Sequence, residues 1–394
     1  MASDSDTSDV GGAALSDQAA TAAHRTSATH AGSTDSHAGS NHSSTTGTNN
    51  TGPDALARSP HQHVLPPVAN PNGHTDYSSL ATALQPALIS ACDGDLSNIE
   101  WFRSTWQSGG AATARAKFAL TNGRVADVIV KLPVGPAEYR WTTRMEGLDA
   151  PDGAHCELEH GCTPRVFAAG TQLGGSDIAW LVVEKLPGHP LSHDFNGRAA
   201  RDLLAAAVEW YDRAAKLRPI LPADHPPRKD WAGKLARARE ALDDALIADV
   251  DRWIDVVEQT QRSLPRLLEI WHSRPFNTWC HGDLHPGNVM RRGADEGSPT
   301  PGGCVLIDLA LVHAGHWVED VVYLERLFWA RPDLLEGVDP VTTVSAELRK
   351  RSMQGSEDHA LLANVRRVLM GASAPAFLAK EGNPRYLHAA LETV

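Results

Sequence analysis

Three oxygen-bearing side chains stand in a fixed order in the second half of the chain. Asp283 and Asn288 lie inside His281-Gly282-Asp283-Leu284-His285-Pro286-Gly287-Asn288, and Asp308 follows in Ile307-Asp308. Such an order suits phosphoryl transfer, which asks little covalent chemistry of a protein and depends on aligning nucleophile and phosphate while neutralising charge. A carboxylate at Asp283 can orient and deprotonate a substrate hydroxyl. The amide oxygen of Asn288 and the carboxylate of Asp308 can hold the magnesium ion (Mg2+) that bridges ATP phosphates. The bland alternative is a loop in which Asp and Asn only cap turns.

The flanking sequence favours the chemical reading. Largely apolar Phe276-Asn277-Thr278-Trp279-Cys280 leads into the loop. Val289-Met290 and Cys304-Val305-Leu306-Ile307 read as short buried strands around a turn-rich insert, Arg291 to Gly303. Upstream, Ile99 to Trp106 reads as a strand, Gln107-Ser108-Gly109-Gly110 as a turn and Ala114 to Leu120 as a second strand. Gly109 and Gly110 would let backbone N–H groups approach a phosphate, although two adjacent glycines also make an ordinary β-turn.

Val125 to Lys131 continues the sheet, and Lys131 at its end is placed to contact α- and β-phosphate oxygens. A lysine there needs a carboxylate to hold it. Glu138 and Glu146 are the candidates, in a helix-like segment that opens near Pro136. Tyr139, Trp141 and Met145 mark its buried side and favour Glu138. Thr163 to Ala169 and Ile178 to Val183 form a further hairpin around Gly174-Gly175-Ser176-Asp177, which brings the sheet to about five strands. The Pro-Gly break in Glu184-Lys185-Leu186-Pro187-Gly188 then marks a shift to helical periodicity, as in Ala200 to Leu217 and Trp231 to Glu258.

Composition limits the alternatives. From Met1 to about Thr75 there is no Phe, Trp, Tyr or Ile, so this stretch cannot bury enough apolar surface to offset its ordering entropy and is expected to be a disordered tail. The remaining length suffices for two packed lobes. A net charge of −12 argues against nonspecific nucleic-acid binding. No membrane span or targeting signal is evident, and five irregularly spaced cysteines fit a reducing compartment, so a cytoplasmic protein is expected. The group His155, Cys156, His160 and Cys162 contains zinc-type ligands, but its C-x5-C spacing fits ordinary loop residues better. Asp243, Asp244, Asp249, Asp251 and Asp255 can attract a cationic substrate, or simply form the solvated face of a helix.

With these residues in view, the chain from Ile99 to Trp329 resembles the aminoglycoside phosphotransferase and choline kinase-like family, in which the loop from His281 to Asn288 is close to diagnostic. The resemblance implies an α+β, bilobal protein-kinase-like fold with a small antiparallel-sheet N-lobe and a mostly helical C-lobe. The expected divisions are a tail over 1–75, an ATP-binding lobe over 76–186, and a helical lobe over 187–394 carrying the catalytic loop and substrate site. By motif, Asp283 resembles the catalytic base, Asn288 and Asp308 the magnesium ligands, and Lys131 the phosphate-binding lysine. Main-chain groups of Glu184 and Leu186 resemble the adenine-binding hinge, and Asp320 resembles the later Asp that braces the loop. Asp308-Leu309-Ala310 departs from the usual Asp-Phe-Gly, and Lys131 and Glu138 are unusually close in sequence. The implied activity is transfer of the ATP γ-phosphate to a hydroxyl of a small molecule such as an aminoglycoside, amino alcohol or sugar. A nucleotide-binding pseudokinase is the alternative, and a protein kinase is disfavoured because no Ala-Pro-Glu segment follows Asp308.

Overall fold

A computed structural model describes residues 78–102, 111–145, 161–243, 247–292, 303–353, 358–378 and 383–394. The N-terminal part is a five-stranded antiparallel sheet of order β1-β2-β3-β5-β4, built from Leu96–Phe102, Ala112–Ala119, Val125–Leu132, Val166–Gly170 and Trp180–Glu184 for β1 to β5. Alternation along β2 turns Ala114, Ala116 and Phe118 inward and Arg115 and Lys117 outward, the period-2 pattern of a half-buried strand. Helix α1 (Ser78–Ala91) covers one face, adding Ala81 and Leu88 to a core with Leu96, Val128, Val130 and Val182. Strand β1 starts three residues before the expected Ile99 and carries an irregularity between Ser97 and Glu100, where Asn98 takes a φ of 52°. The rest of that expected strand, with Gly109 and Gly110, lies outside the described residues, as do the presumed tail and Glu146.

Helix α2 (Pro136–Met145) follows β3 and belongs to both lobes. Tyr139 packs with Val134, Leu181 and Val183 beside the sheet. On another side Trp141 meets Trp210 at a ring-centroid distance of 5.5 Å and Trp279 at 4.8 Å, within the main helical core.

Beyond β5 the chain is mainly helical. Helix α3 (Gly197–Leu217) is capped by the Asn196 side chain, which accepts from Ala199 N–H, and buries Leu203, Leu204, Ala207, Trp210, Tyr211 and Ala214 on one stripe. The periodic run expected from Trp231 to Glu258 is two helices, α4 (Trp231–Asp243) and α5 (Val250–His272). Asp249 stands at φ 59° before α5, a left-handed conformation that a right-handed helix cannot pass through. The break lets α4 and α5 pack together over Ala238, Leu242, Trp253 and Val257. Strands β6 (Thr278–Cys280) and β9 (His313–Gly315) pair, as do β7 (Val289–Arg291) and β8 (Cys304–Leu306). Helices α6 (Val318–Arg326), α7 (Pro340–Lys350), α8 (His359–Ala372) and α9 (Pro384–Thr393) complete the lobe. Among the described residues no helix is long and apolar enough to cross a membrane. Cys92, Cys162, Cys280 and Cys304 are free thiols.

Candidate active site

The loop between β6 and β7 is held from below by Asp320. This carboxylate, on the first turn of α6, accepts the backbone N–H of His281 at 2.7 Å and of Gly282 at 2.9 Å, and the Tyr211 hydroxyl at 3.1 Å. Burial pushes the Asp320 carboxyl up, against the pull of His281, His313 and its amide donors. His281 is fully buried; its Nδ1 accepts from Asp283 N–H at 3.3 Å, which leaves Nε2–H to donate to Ile307 O at 3.1 Å. This imidazole is a packed tie between loop and β8. Gly282 has a φ of 85°, and a Cβ there would lie 2.1 Å from the Leu311 carbonyl oxygen. Only glycine lets the loop press so closely on the turn after Asp308.

Asp283 stands on this base with its side chain about a quarter exposed. Tyr323 OH donates to Oδ1 at 2.7 Å, and Asn288 Nδ2 donates to the main-chain oxygen at 3.0 Å and to Oδ2 at 3.2 Å. His285 Nδ1 accepts from Gly287 N–H at 3.0 Å, so its Nε2 carries the proton and faces Oδ2 at 3.4 Å. Burial works against ionisation of Asp283, but the contacts with His285 and Tyr323 and the influence of His281 outweigh it and hold the carboxyl at about 2. Asp283 is therefore a carboxylate throughout the physiological range.

Asn288 and Asp308 are brought together by the β7–β8 hairpin. Val289 pairs with Leu306, and Ile307 N–H donates to Asn288 O at 2.9 Å, so Asp308 follows directly on the residue opposite Asn288. Asp308 is exposed and takes a φ of 64°, before a 3-10 turn over Leu309–Leu311 whose Leu309 is buried. The departure from Asp-Phe-Gly thus has a packing role, because Leu309 anchors the segment into the core. Asn288 commits its amide hydrogens to Asp283, which turns its carbonyl oxygen toward other work. One amide oxygen and one exposed carboxylate are hard ligands of the kind that suit magnesium.

Across the cleft, Lys131 Nζ forms an ion pair with Glu138 Oε1 in the first turn of α2. Burial works to lower the Lys131 pKa, but the charges of Glu138 and Asp308 prevail and raise it, so the ammonium is permanent and lies within the field of Asp308. Glu184 ends β5, and its Oε2 accepts from Arg292 Nη2 at 2.7 Å and Arg165 N–H at 3.2 Å. Leu186 is buried just beyond. Arg292 also donates to the carbonyls of Gly161 and Thr163, at 2.9 and 3.0 Å, and ties the end of the sheet to the β7–β8 hairpin.

Sequence reasoning gave no role to Tyr323, Tyr211, His285 or Arg292. Tyr323 stands one helical turn after Asp320, an i, i+3 spacing that puts both on the face of α6 toward the loop. Of the acidic group on α4 and α5, Asp243 pairs with Arg239 at 2.7 Å and Asp249 faces His388 at 3.8 Å, which fits the solvated-face reading. His155, Cys156 and His160 lie outside the described residues.

Residues 91–348 match the family described as "Phosphotransferase enzyme family", and the chain belongs to that family. Several solved structures are similar to the chain. An aminoglycoside phosphotransferase from Alicyclobacillus acidocaldarius is 14% identical, covers 78% of this chain and 90% of its own, and has a TM-score of 0.47. A putative aminoglycoside phosphotransferase from Ralstonia eutropha is 11% identical over 78% of this chain and 97% of its own, with a TM-score of 0.47. A choline kinase from Cryptosporidium parvum is 10% identical over 80% of this chain and 91% of its own, with a TM-score of 0.42. No curated protein matches the chain.

Proposed function

We propose that this phosphotransferase-family chain is a small-molecule kinase that transfers the γ-phosphate of ATP to an acceptor hydroxyl, using an ATP-binding lobe over 76–186 and a catalytic lobe over 187–394. The acceptor O–H hydrogen-bonds to Asp283, its oxygen attacks the γ-phosphorus in line, the proton passes to Asp283, and ADP leaves. A carboxyl held at about 2 is a weak base, which suits a loose transition state in which the acceptor needs alignment more than early deprotonation. Asn288 Oδ1 and the Asp308 carboxylate would hold the magnesium, which would supply charge neutralisation at the phosphates. Lys131, steadied by Glu138, would take α- and β-phosphate oxygens, and the main chain at Glu184 and Leu186 would line the adenine edge.

One observation carries this reading. The Asn288 amide locks onto Asp283 while the hairpin sets Asp308 beside it, within the field of Lys131 from the other lobe. The test is ADP release by purified protein with magnesium and ATP across a panel of aminoglycosides, amino alcohols and sugars. Acceptor-dependent turnover that disappears in Asp283→Ala is expected. Tight ATP binding with no transfer to any acceptor would favour the pseudokinase alternative, and absence of ATP binding would remove both.

A further inference from the structure

Directly behind the catalytic loop, on the side away from Asp283, lie three side chains that the reaction does not use. Cys280 precedes His281 at the end of β6, His313 opens β9, and Glu319 precedes Asp320 on α6. The Cys280 thiol, a ring nitrogen of His313 and a carboxylate oxygen of Glu319 all lie within 4.8 Å of one another. Cys280 is fully buried, Glu319 nearly so, and the His313 side chain is 17% exposed at the rim.

The Cys280 thiol rests against the His316 carbonyl oxygen at 3.4 Å, and the contacts of the other two residues fix which of their atoms faces inward. His313 Nδ1 lies 2.8 Å from the Leu311 carbonyl oxygen, so it carries a proton, and Nε2 faces Glu319 Oε2 at 3.8 Å. Glu319 Oε1 is occupied by Arg274 Nη2 at 2.9 Å, Arg274 Nε at 3.2 Å and His316 N–H at 3.1 Å, which leaves Oε2 for the cluster. A metal-ligating histidine characteristically donates its other ring N–H to a carbonyl, and a ligating carboxylate is held by outer hydrogen bonds. Both arrangements are present. Gly315 keeps the space open, since a Cβ there would lie 2.6 Å from Glu319 Oε1 and 2.9 Å from Cys280 Sγ.

We infer that Cys280 Sγ, His313 Nε2 and Glu319 Oε2 form a zinc site that braces the catalytic loop from behind, separate from the proposed nucleotide cation. Thiolate, imidazole and carboxylate together suit Zn2+ and not magnesium. Bonds of about 2.0–2.3 Å place tetrahedral ligands roughly 3.3–3.8 Å apart, so the cluster needs a contraction of up to about 1.5 Å. The two anionic ligands balance the dication, while Arg274 keeps its pairing with Glu319 through Oε1. A bound ion would join β6, β9 and α6, the three elements that carry or hold His281, Gly282 and Asp320.

Cobalt substitution of the full chain tests this, because Co2+ bound to a thiolate shows a near-ultraviolet charge-transfer band that magnesium sites and surface histidines do not give. One zinc per chain by elemental analysis is expected, with that band on cobalt loading, its loss in Cys280→Ser and at least a tenfold weaker affinity in His313→Asn. His313 lies at the rim, so its variant keeps the test usable if Cys280→Ser fails to fold. A wild-type chain without the band, or a band unchanged in Cys280→Ser, overturns the site. Neither result bears on acceptor-dependent ADP release, so the two readings fail separately.

Discussion

The two walls of the cleft are built on different principles. On the sheet side, Lys131 is held by one ion pair with a carboxylate seven residues away, and its side chain remains about a quarter exposed. On the helical side, Asp283 and Asn288 stand on a loop tied to Asp320 and Tyr323 of α6 and to Ile307 just after β8, and Tyr211 of α3 holds Asp320 in turn. Single ion pairs near water contribute little, whereas a buried acceptor that satisfies several donors is costly to remove. The helical wall is thus tied by many contacts and the charge on the sheet wall by one.

Substitutions should separate the two walls, and the largest effect is expected at Asp320. Asp320→Ala strands two backbone N–H groups and the Tyr211 hydroxyl, and should cost at least about 3 kcal/mol of stability in chemical unfolding, together with activity. A stable Asp320→Ala protein would break the contrast. Asp308→Ala should leave unfolding nearly unchanged while lowering kcat by at least a hundredfold, or about 2.7 kcal/mol; Asp283→Ala should lower kcat by at least as much and also lose stability, because Tyr323 and Asn288 lose their acceptor. Gly282→Ala should sit between these classes, with a loss of about 1–3 kcal/mol in stability and a misplaced Asp283, measured by unfolding and turnover together. Lys131→Met should raise the KM for ATP and lower kcat by roughly tenfold or more, with a melting temperature close to wild type. A large melting shift in that variant would show that the sheet wall is as deeply built in as the loop.

The smallest expected effect concerns pH. Asp283 is held at about 2 against an ordinary 3.8, so its contribution to folding is fully present above the unfolded value and is lost as pH falls through about 2. Its protonation should leave activity unaffected above about pH 4. Tyr323→Phe removes a donor to the carboxylate and should move that acid limb upward toward 3.8, visible in a pH–rate profile. An unmoved limb would mean that His285 and His281 set the ionisation without Tyr323.

How much of this was legible in the sequence follows from how far apart the partners lie. The loop, the β7–β8 hairpin, Lys131 with Glu138, and a sheet of five strands could be read because each depends on residues near one another in the chain or on strand alternation. The break between Asp243 and Val250 was not read, because apolar periodicity continues on both sides of it and a left-handed residue such as Asp249 leaves no mark in that pattern. Tyr211 reaches Asp320 across 109 positions and Arg292 reaches Glu184 across 108, and buried polar pairs at such separations leave no periodic trace. The cysteine–histidine group visible in the sequence was the contiguous one near Cys156, whereas the cluster of Cys280, His313 and Glu319 is assembled only by β6, β9 and α6.

Trp141 gives the ion pair across the cleft a mechanical meaning. Its indole packs against Trp210 and Trp279 while Tyr139, two residues earlier, packs beside the sheet, so helix α2 is pinned from both sides and Glu138 is held where Lys131 reaches it. The Lys131–Glu138 contact therefore depends on both packings of α2 at once: loosening either would shift the carboxylate that holds the ammonium.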